Sequence, residues 1–321
     1  MASAYTPSQL SLYERHISLP LQFHHTSTRP PLLNLSYLSA LHTHQISTCP
    51  YENLQLHYSA THTVSLDPQV LFKKIVTDKR GRGGYCMENA ILFHHVLRGL
   101  GWRVYLAGVR IRLREGGVPR GDYVGWVHIV NIVTLPTGEK YMLDVSFGGD
   151  GPTIPLPLTS GLTHLNLGTQ EIRLLHSTIP QQLDQTKPLW IYQYRNAPTQ
   201  EWNSFYAFPE TEFTEADFRV MNHWTSTSME STNWQTRRVL VIRFLRGLVE
   251  GEGEERGKEG IVGKVMLVDG EIKRNDGGRT RSVKVCRSEE ERIEALKVDF
   301  GIELTDEERE GIKGRNVELL A

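Results

Sequence analysis

The sequence predicts an α+β fold, and three observations carry that expectation. Apolar residues recur at steps of three and four through the first hundred residues; apolar and polar residues alternate through the middle third; the last third mixes the two patterns. With 321 residues the chain is long enough for two or three packed units. A formal net charge of −1 gives no electrostatic reason to expect nucleic acid or a membrane surface as partner. Cys49, Cys86 and Cys286 are too few and too scattered for a disulfide scaffold, and no CxxC or matched Cys/His spacing announces a metal. MASAYTPSQLSLYERH has no charged segment followed by a continuous apolar one, and no run of about 18 apolar residues occurs. The expectation is a soluble, cytoplasmic protein with no metal, nucleic-acid or membrane partner.

The elements follow in order. Pro7 and Ser8 mark the start of a short helix carrying Leu10, Tyr13 and Ile17 on one face. Asn34 caps a second helix over NLSYLSALHTHQ, and SLDPQVLFKKIVTDK supplies a third. A fourth starts at Cys86, sets Met87, Ala90, Ile91, His94, Leu97 and Leu100 at helical steps, and ends at Gly99 or Gly101. The period then changes to two. Val109, Ile111 and Leu113 alternate with Arg110, Arg112 and Arg114, whose default is a solvated strand face; WVHIVNIVTL and YMLDVSF read as strands joined by PTGEK. GVPRGDY reads as a long loop.

Further on, IRLLHS, LWIYQYR and VLVIRFL read as strands and TEADFRVMNHW as a helix. Capping boxes at Ser288/Glu291 and Thr305/Glu308 open two helices near the end. The charged, glycine-rich stretch around residues 249 to 260 reads as a mobile loop between strands or an insertion.

Chemistry concentrates in RGRGGYCMEN, residues 80 to 89. A lone cysteine before an apolar helix is usually core. At the first turn, however, it meets the positive end of the helix dipole and unpaired N–H groups, which favour thiolate, and Gly83 and Gly84 let a ligand or another backbone come close. Cysteine catalysis also needs a base and a group that orients the base. His128 in GWVHIVNIV and Asp144 in YMLDVSFGG are the candidates, since an aspartate between Leu143 and Val145 demands a partner.

Register decides whether the two can meet. A loop of Pro136, Thr137 and left-handed Gly138 sets Asp144 opposite Val130, on one face with His128 and a diagonal step away; a four-residue loop separates them. The histidine pairs at 24 and 94 and the HTH at 42 to 44 lack partners at metal-ligand spacing and read as solvated or capping. No phosphate-binding glycine motif occurs; GEGEERG has the wrong spacing.

Together, CPYENL, RGGYCMEN, GWVHIVN and LDVSFGG, with LYERHISLP and DFGIELTDEE toward the ends, resemble the arylamine N-acetyltransferases, in particular a eukaryotic, fungal-like member. The resemblance implies a helical domain over 1–101, a β-barrel over 102–212 and an α/β lid over 213–321, around a papain-like or transglutaminase-like catalytic core. It implies Cys86 as acyl carrier, His128 as base and Asp144 as its orienter. Tyr51 and Phe147 would line the pocket for the acyl group and amine, with Val124 and Gly125 beside the thioester. It implies acetyl-coenzyme A or malonyl-coenzyme A as co-substrate, no permanently bound cofactor, and a small aromatic amine or hydrazine as acceptor. Oligomeric state stays open. Tyr51 stands where the family usually has phenylalanine, and Ser146 where glycine is more common. A cysteine hydrolase or amidase built on the same Cys, His, Asp order is the alternative.

Overall fold

In the computed structural model, residues 3–26, 30–249 and 257–320 are described. Thr6, one residue ahead of the expected signal, caps α1 (Pro7–His16): its hydroxyl accepts from the Gln9 N–H, and Gln9 returns the bond to the Thr6 N–H. Proline fits the first helical position because it has no N–H to leave unpaired, so the cap moves back. Asn34 caps α2 (Leu35–Thr48), as its position predicts, by accepting from the Tyr37 N–H. A two-residue strand, β1 (Tyr51–Glu52), and a short helix, α3 (Leu54–Tyr58), follow. The third expected helix begins at Asp67, which caps α4 (Pro68–Phe72), and continues as a π-helical stretch over Lys73–Thr77.

The helix of the cysteine, α5 (Cys86–Gly99), departs from a one-sided stripe. Met87, Ala90, Leu92, Phe93, Val96 and Leu97 are all buried, so almost its whole circumference is covered. It lies between the other N-terminal helices and a long hairpin, β2 (Arg103–Glu115) and β3 (Val118–Thr134), against which it packs. Gly116 and Gly117, both at positive φ, make the turn. GVPRGDY is therefore mostly strand rather than loop, and irregular register along this hairpin absorbs its glycine and proline.

β4 (Lys140–Leu143) pairs with β3 through the three-residue loop: the Gly138 N–H donates to the Leu135 carbonyl, and Gly138 has φ +97°. The strand ends at Leu143, short of the expected Phe147, and Asp144 leaves the ladder. β5 (Leu156–Pro157), β6 (His164–Leu165), β7 (Glu171–Ser177), β8 (Leu189–Arg195) and β9 (Asn203–Phe208) complete an antiparallel sheet in the order β5-β4-β3-β2-β9-β8-β7-β6. The sheet curls into a half-barrel over its own core of Val109, Val130, Ile132, Met142, Tyr192 and Tyr206.

Next come α6 (Glu215–Thr227), where the sequence places it, and a single turn, α7 (Trp234–Arg237). A second sheet joins β10 (Leu240–Leu248), β11 (Glu259–Val268), β12 (Glu271–Asn275) and β13 (Arg281–Val285), and takes β1 as its edge in the order β1-β10-β11-β12-β13. The charged stretch lies between β10 and β11; its residues 250–256 fall outside the described residues. Ser288 caps α8 (Glu289–Phe300), and Thr305 with Glu308 forms a full capping box on α9 (Asp306–Gly311). At α8 the Glu291 carboxylate accepts instead from the Arg287 N–H, so that cap is only half of the expected box. Among the described residues no helix is long and apolar enough to cross a membrane.

Candidate active site

The turn before Cys86 is built by backbone contact. Gly84 donates its N–H to the Pro50 carbonyl at 3.3 Å and accepts from the Glu52 N–H at 3.0 Å, so β1 lies directly against it. A Cβ on Gly83 would stand 1.9 Å from the Pro50 oxygen. Of the two uses the sequence left open, Gly83 serves the close approach of another backbone, whereas a Cβ on Gly84 would meet the Glu88 side chain at 2.5 Å. Gly83→Ala is expected to cost about 3 kcal/mol, the upper end for overpacking, read as a lower urea midpoint at unchanged slope.

Ions lock the same turn. The buried Glu88 carboxylate accepts from the Tyr85 N–H at 3.1 Å and pairs with Lys74 at 2.8 Å. Arg82 bonds Glu52 at 2.9 Å and also pairs with Glu308 of α9. Burial alone would raise the Glu52 carboxyl, but Arg82 and Lys74 outweigh it and hold it at about 2. Asn89 donates to the Gly84 carbonyl at 2.8 Å and the Pro50 carbonyl at 3.1 Å. The position of Cys86 is thereby fixed from three stretches of chain.

Cys86 is 4 % exposed, and its Sγ lies 3.6 Å from the Val127 carbonyl on β3. Burial pushes the thiol pKa up, and the charges of Asp144 and Glu88 act in the same direction. The N–H groups of Met87 and Cys86 oppose them, as the helix start predicts, but burial wins. The helix start thus acts in the expected direction without deciding the state of the thiol. A thiolate here needs a neighbouring base.

His128 follows Val127 on β3. Its Nε2 lies 2.8 Å from Asp144 Oδ2, and both side chains are buried. A carboxylate only accepts, so Nε2–H donates to it, and in the neutral ring Nδ1 is the atom left to take a proton. The other Asp144 oxygen accepts from the Ser146 N–H at 3.1 Å. Continuing the Asn131–Leu143 register by one residue sets Asp144 opposite Val130, as the loop length predicts, and the released chain turns its carboxylate onto His128.

Of the candidate pocket residues, Tyr51 and Phe147 lie beside this pair. The Phe147 ring meets the His128 ring at 5.0 Å between centroids. Tyr51 and Phe147 border a narrow cavity of about 10 Å³ with Asp144, Ser146, Ile242 and Phe244. The Tyr51 hydroxyl accepts from Gln235 at 2.6 Å, a bond that phenylalanine there would lack. Val124 is half-buried and Gly125 exposed, with open space where a Cβ would stand, so approach is least hindered at Gly125.

Several residues escaped the sequence reading. His42 is fully buried beneath the site, where its Nε2–H donates to the Asp144 carbonyl at 3.3 Å. Burial drops its pKa to about 4, so it stands neutral at physiological pH. His44 and His94 are also buried, and His25 bonds Glu14 at 2.9 Å. The expectation of solvated histidines is thus corrected for His42, His44 and His94, which chain distant in sequence covers. Nor do the three arginines of β2 face only water. Arg110 lies over the Trp126 ring, Arg112 over Tyr123 and Arg114 over Phe205.

The family model described as N-acetyltransferase matches residues 34–309. The chain belongs to this N-acetyltransferase family. It is 35% identical over 329 residues to the N-malonyltransferase FDB2 of Fusarium pseudograminearum, covering 96% of this chain and 92% of that protein. It is 28% identical to an arylamine N-acetyltransferase of Mycobacterium tuberculosis, covering 92% of each. Its fold matches the structure of the arylamine N-acetyltransferase from Mycobacterium abscessus with a TM-score of 0.75 at 19% identity, covering 99% of each chain. The chain is thus an acyltransferase of the arylamine N-acetyltransferase fold. The family match runs from the cap of α2 into α9 and takes in Cys86, His128 and Asp144.

Proposed function

We propose that this acyltransferase carries an acyl group from coenzyme A to the nitrogen of an arylamine or arylhydrazine by way of a thioester on Cys86. The observation that carries the reading is the buried His128–Asp144 pair on the strand whose Val127 carbonyl meets the Cys86 sulfur. His128 Nδ1 takes the Cys86 proton as the sulfur attacks the thioester carbonyl. The bond from that carbon to the coenzyme A sulfur breaks, and His128 returns the proton to the departing thiolate. In the second half the amine nitrogen attacks the enzyme thioester carbonyl and His128 accepts its proton; the bond from that carbon to Cys86 Sγ breaks, and His128 passes the proton to the sulfur to re-form the thiol. N–H groups in the first turn of α5 supply oxyanion donors, each worth about 3 kcal/mol.

Tyr51 and Phe147 serve as walls for the acyl group and ring, and Val124 and Gly125 as the rim at the thioester. The name of the fungal relative supports malonyl beside acetyl as the group carried. The division 1–101, 102–212 and 213–321 belongs to the same proposal: helices dominate the first stretch, the eight-stranded sheet fills the second, and most of the five-stranded sheet lies in the third. Three unpaired cysteines support placing the protein in the cytoplasm.

The test supplies acyl-coenzyme A and an arylamine together and separately, and follows thiol release and N-acyl product. A transferase forms product only with both and turns over continuously only then. Steady cleavage of an amide with no acyl donor present would instead make the chain a hydrolase.

A further inference from the structure

Behind Phe147 two cations share one carboxylate. Lys264 on β11 and Arg114 on β2 both pair with Asp150, Lys264 at 3.1 Å. Lys264 is 5% exposed. Its ammonium has three donors; the Gly149 carbonyl and Asp150 take two, and the third has no acceptor among the described residues. Arg114 also bonds the Tyr194 hydroxyl, at 3.2 Å, and the Gly117 carbonyl. Two positive charges thus face one negative charge, with Lys264 nearly enclosed and Arg114 and Asp150 partly exposed, which leaves an excess of one cation at the edge of the core. Such an excess is costly without an anion to complete it.

The cluster adjoins the reacting centre. Lys264 is the cross-strand partner of Phe244, and Met266 that of Ile242; directly opposed residues share a face, and Phe244 and Ile242 line the narrow cavity with Tyr51, Asp144 and Phe147. On the other side a ring wall runs outward from His128. Phe147 lies 5.0 Å from the imidazole, Phe205 lies 4.6 Å from Phe147, and the Arg114 guanidinium stands 4.5 Å from the Phe205 centroid. A substrate reacting at Cys86 and lying along this wall would point its far end at the cations. Sequence position hides the arrangement, because the 147–151 segment itself carries no basic residue.

We infer that Lys264 and Arg114, oriented by Asp150, form a carboxylate-reading site for the substrate held at Cys86, selecting a dicarboxylic acyl group or an arylamine bearing a carboxylate. The inference rests on the acyl-transfer reading of the site. Asp150 keeps both cations in place, and the substrate carboxylate supplies the missing negative charge.

Full-length wild type, Lys264→Met, Lys264→Arg and Asp150→Asn proteins are compared in the two half-reactions. In the first, acyl-enzyme formation without amine is timed with malonyl-coenzyme A and acetyl-coenzyme A. In the second, pre-acetylated enzyme is discharged by 4-aminobenzoate and by aniline. Lys264→Met is expected to lower the ratio of charged to uncharged substrate roughly ten- to hundredfold in one arm, the worth of one charge-assisted hydrogen bond. Lys264→Arg should recover part of it, and Asp150→Asn should raise the ratio. Loss in the first arm assigns the site to the acyl donor, and loss in the second to the amine. Unchanged ratios in both arms, in a wild type that transfers acyl groups, would overturn the carboxylate site alone. A wild type that transfers nothing would overturn the acyl-transfer reading beneath it.

Discussion

Replacing Cys86 by alanine is expected to remove coenzyme A release and N-acyl product together, by a factor on the order of 10⁶, measured as thiol release under saturating donor. The folded protein should survive the change. The side chain shrinks by one atom, and the neighbours that fix the turn bond through Glu52, Arg82, Glu88 and Asn89. Urea unfolding of the variant should therefore stay near wild type while activity disappears. The chemical state of this thiol gives the expectation a pH dependence. Burial raises its pKa, so the proton is held to a higher pH than on an ordinary cysteine. With His128 in place the imidazole takes that proton, and iodoacetamide should alkylate Cys86 at neutral pH. In His128→Ala alkylation should fall away at neutral pH and return only as the pH rises above the ordinary thiol range.

Asp144→Asn carries the second large effect, a fall in kcat/KM of roughly 10⁴-fold with little loss of structure. The reason lies in the two bonds the carboxylate accepts. The Ser146 N–H at 3.1 Å holds the amide oxygen of the variant on its own side, which turns the NH₂ toward His128 Nε2. Facing a donor, Nε2 must give up its proton, and the proton moves to Nδ1, where the base was needed. The imidazole keeps its place and loses its function. A rate profile against pH separates this from unfolding. Asp144→Asn should recover activity slowly toward high pH, as solvent hydroxide replaces the base, whereas a misfolded variant would not recover at all.

Much of this was legible in the sequence, where local rules decide the outcome. The three-residue loop at Pro136–Gly138 fixed the register of Asp144 against β3, because loop length and side-chain alternation are both local properties. The caps at Asn34 and Thr305 were readable for the same reason. The rest depends on what distant chain covers. His42 lies 102 residues from the Asp144 carbonyl it supports, and Lys264 lies 114 residues from Asp150. No period or spacing brings such pairs together. The state of Cys86 follows the same rule: the helix start was visible, but the burial that outweighs it comes from β3 and the segment around Tyr51. The strand at YMLDVSF stops early for a tertiary reason too, since Asp144 exchanges ladder pairing for His128, Ser146 and His42.

The most direct test of acyl transfer through Cys86 is the mass of the intact protein after brief exposure to acyl-coenzyme A with no amine present, followed by peptide mapping. One acyl adduct per chain is expected, located on Cys86, with one equivalent of coenzyme A thiol released and loss of the adduct when an arylamine is added. An adduct at another residue, or N-acyl product formed while Cys86 stays unmodified under these conditions, would contradict acyl transfer through Cys86.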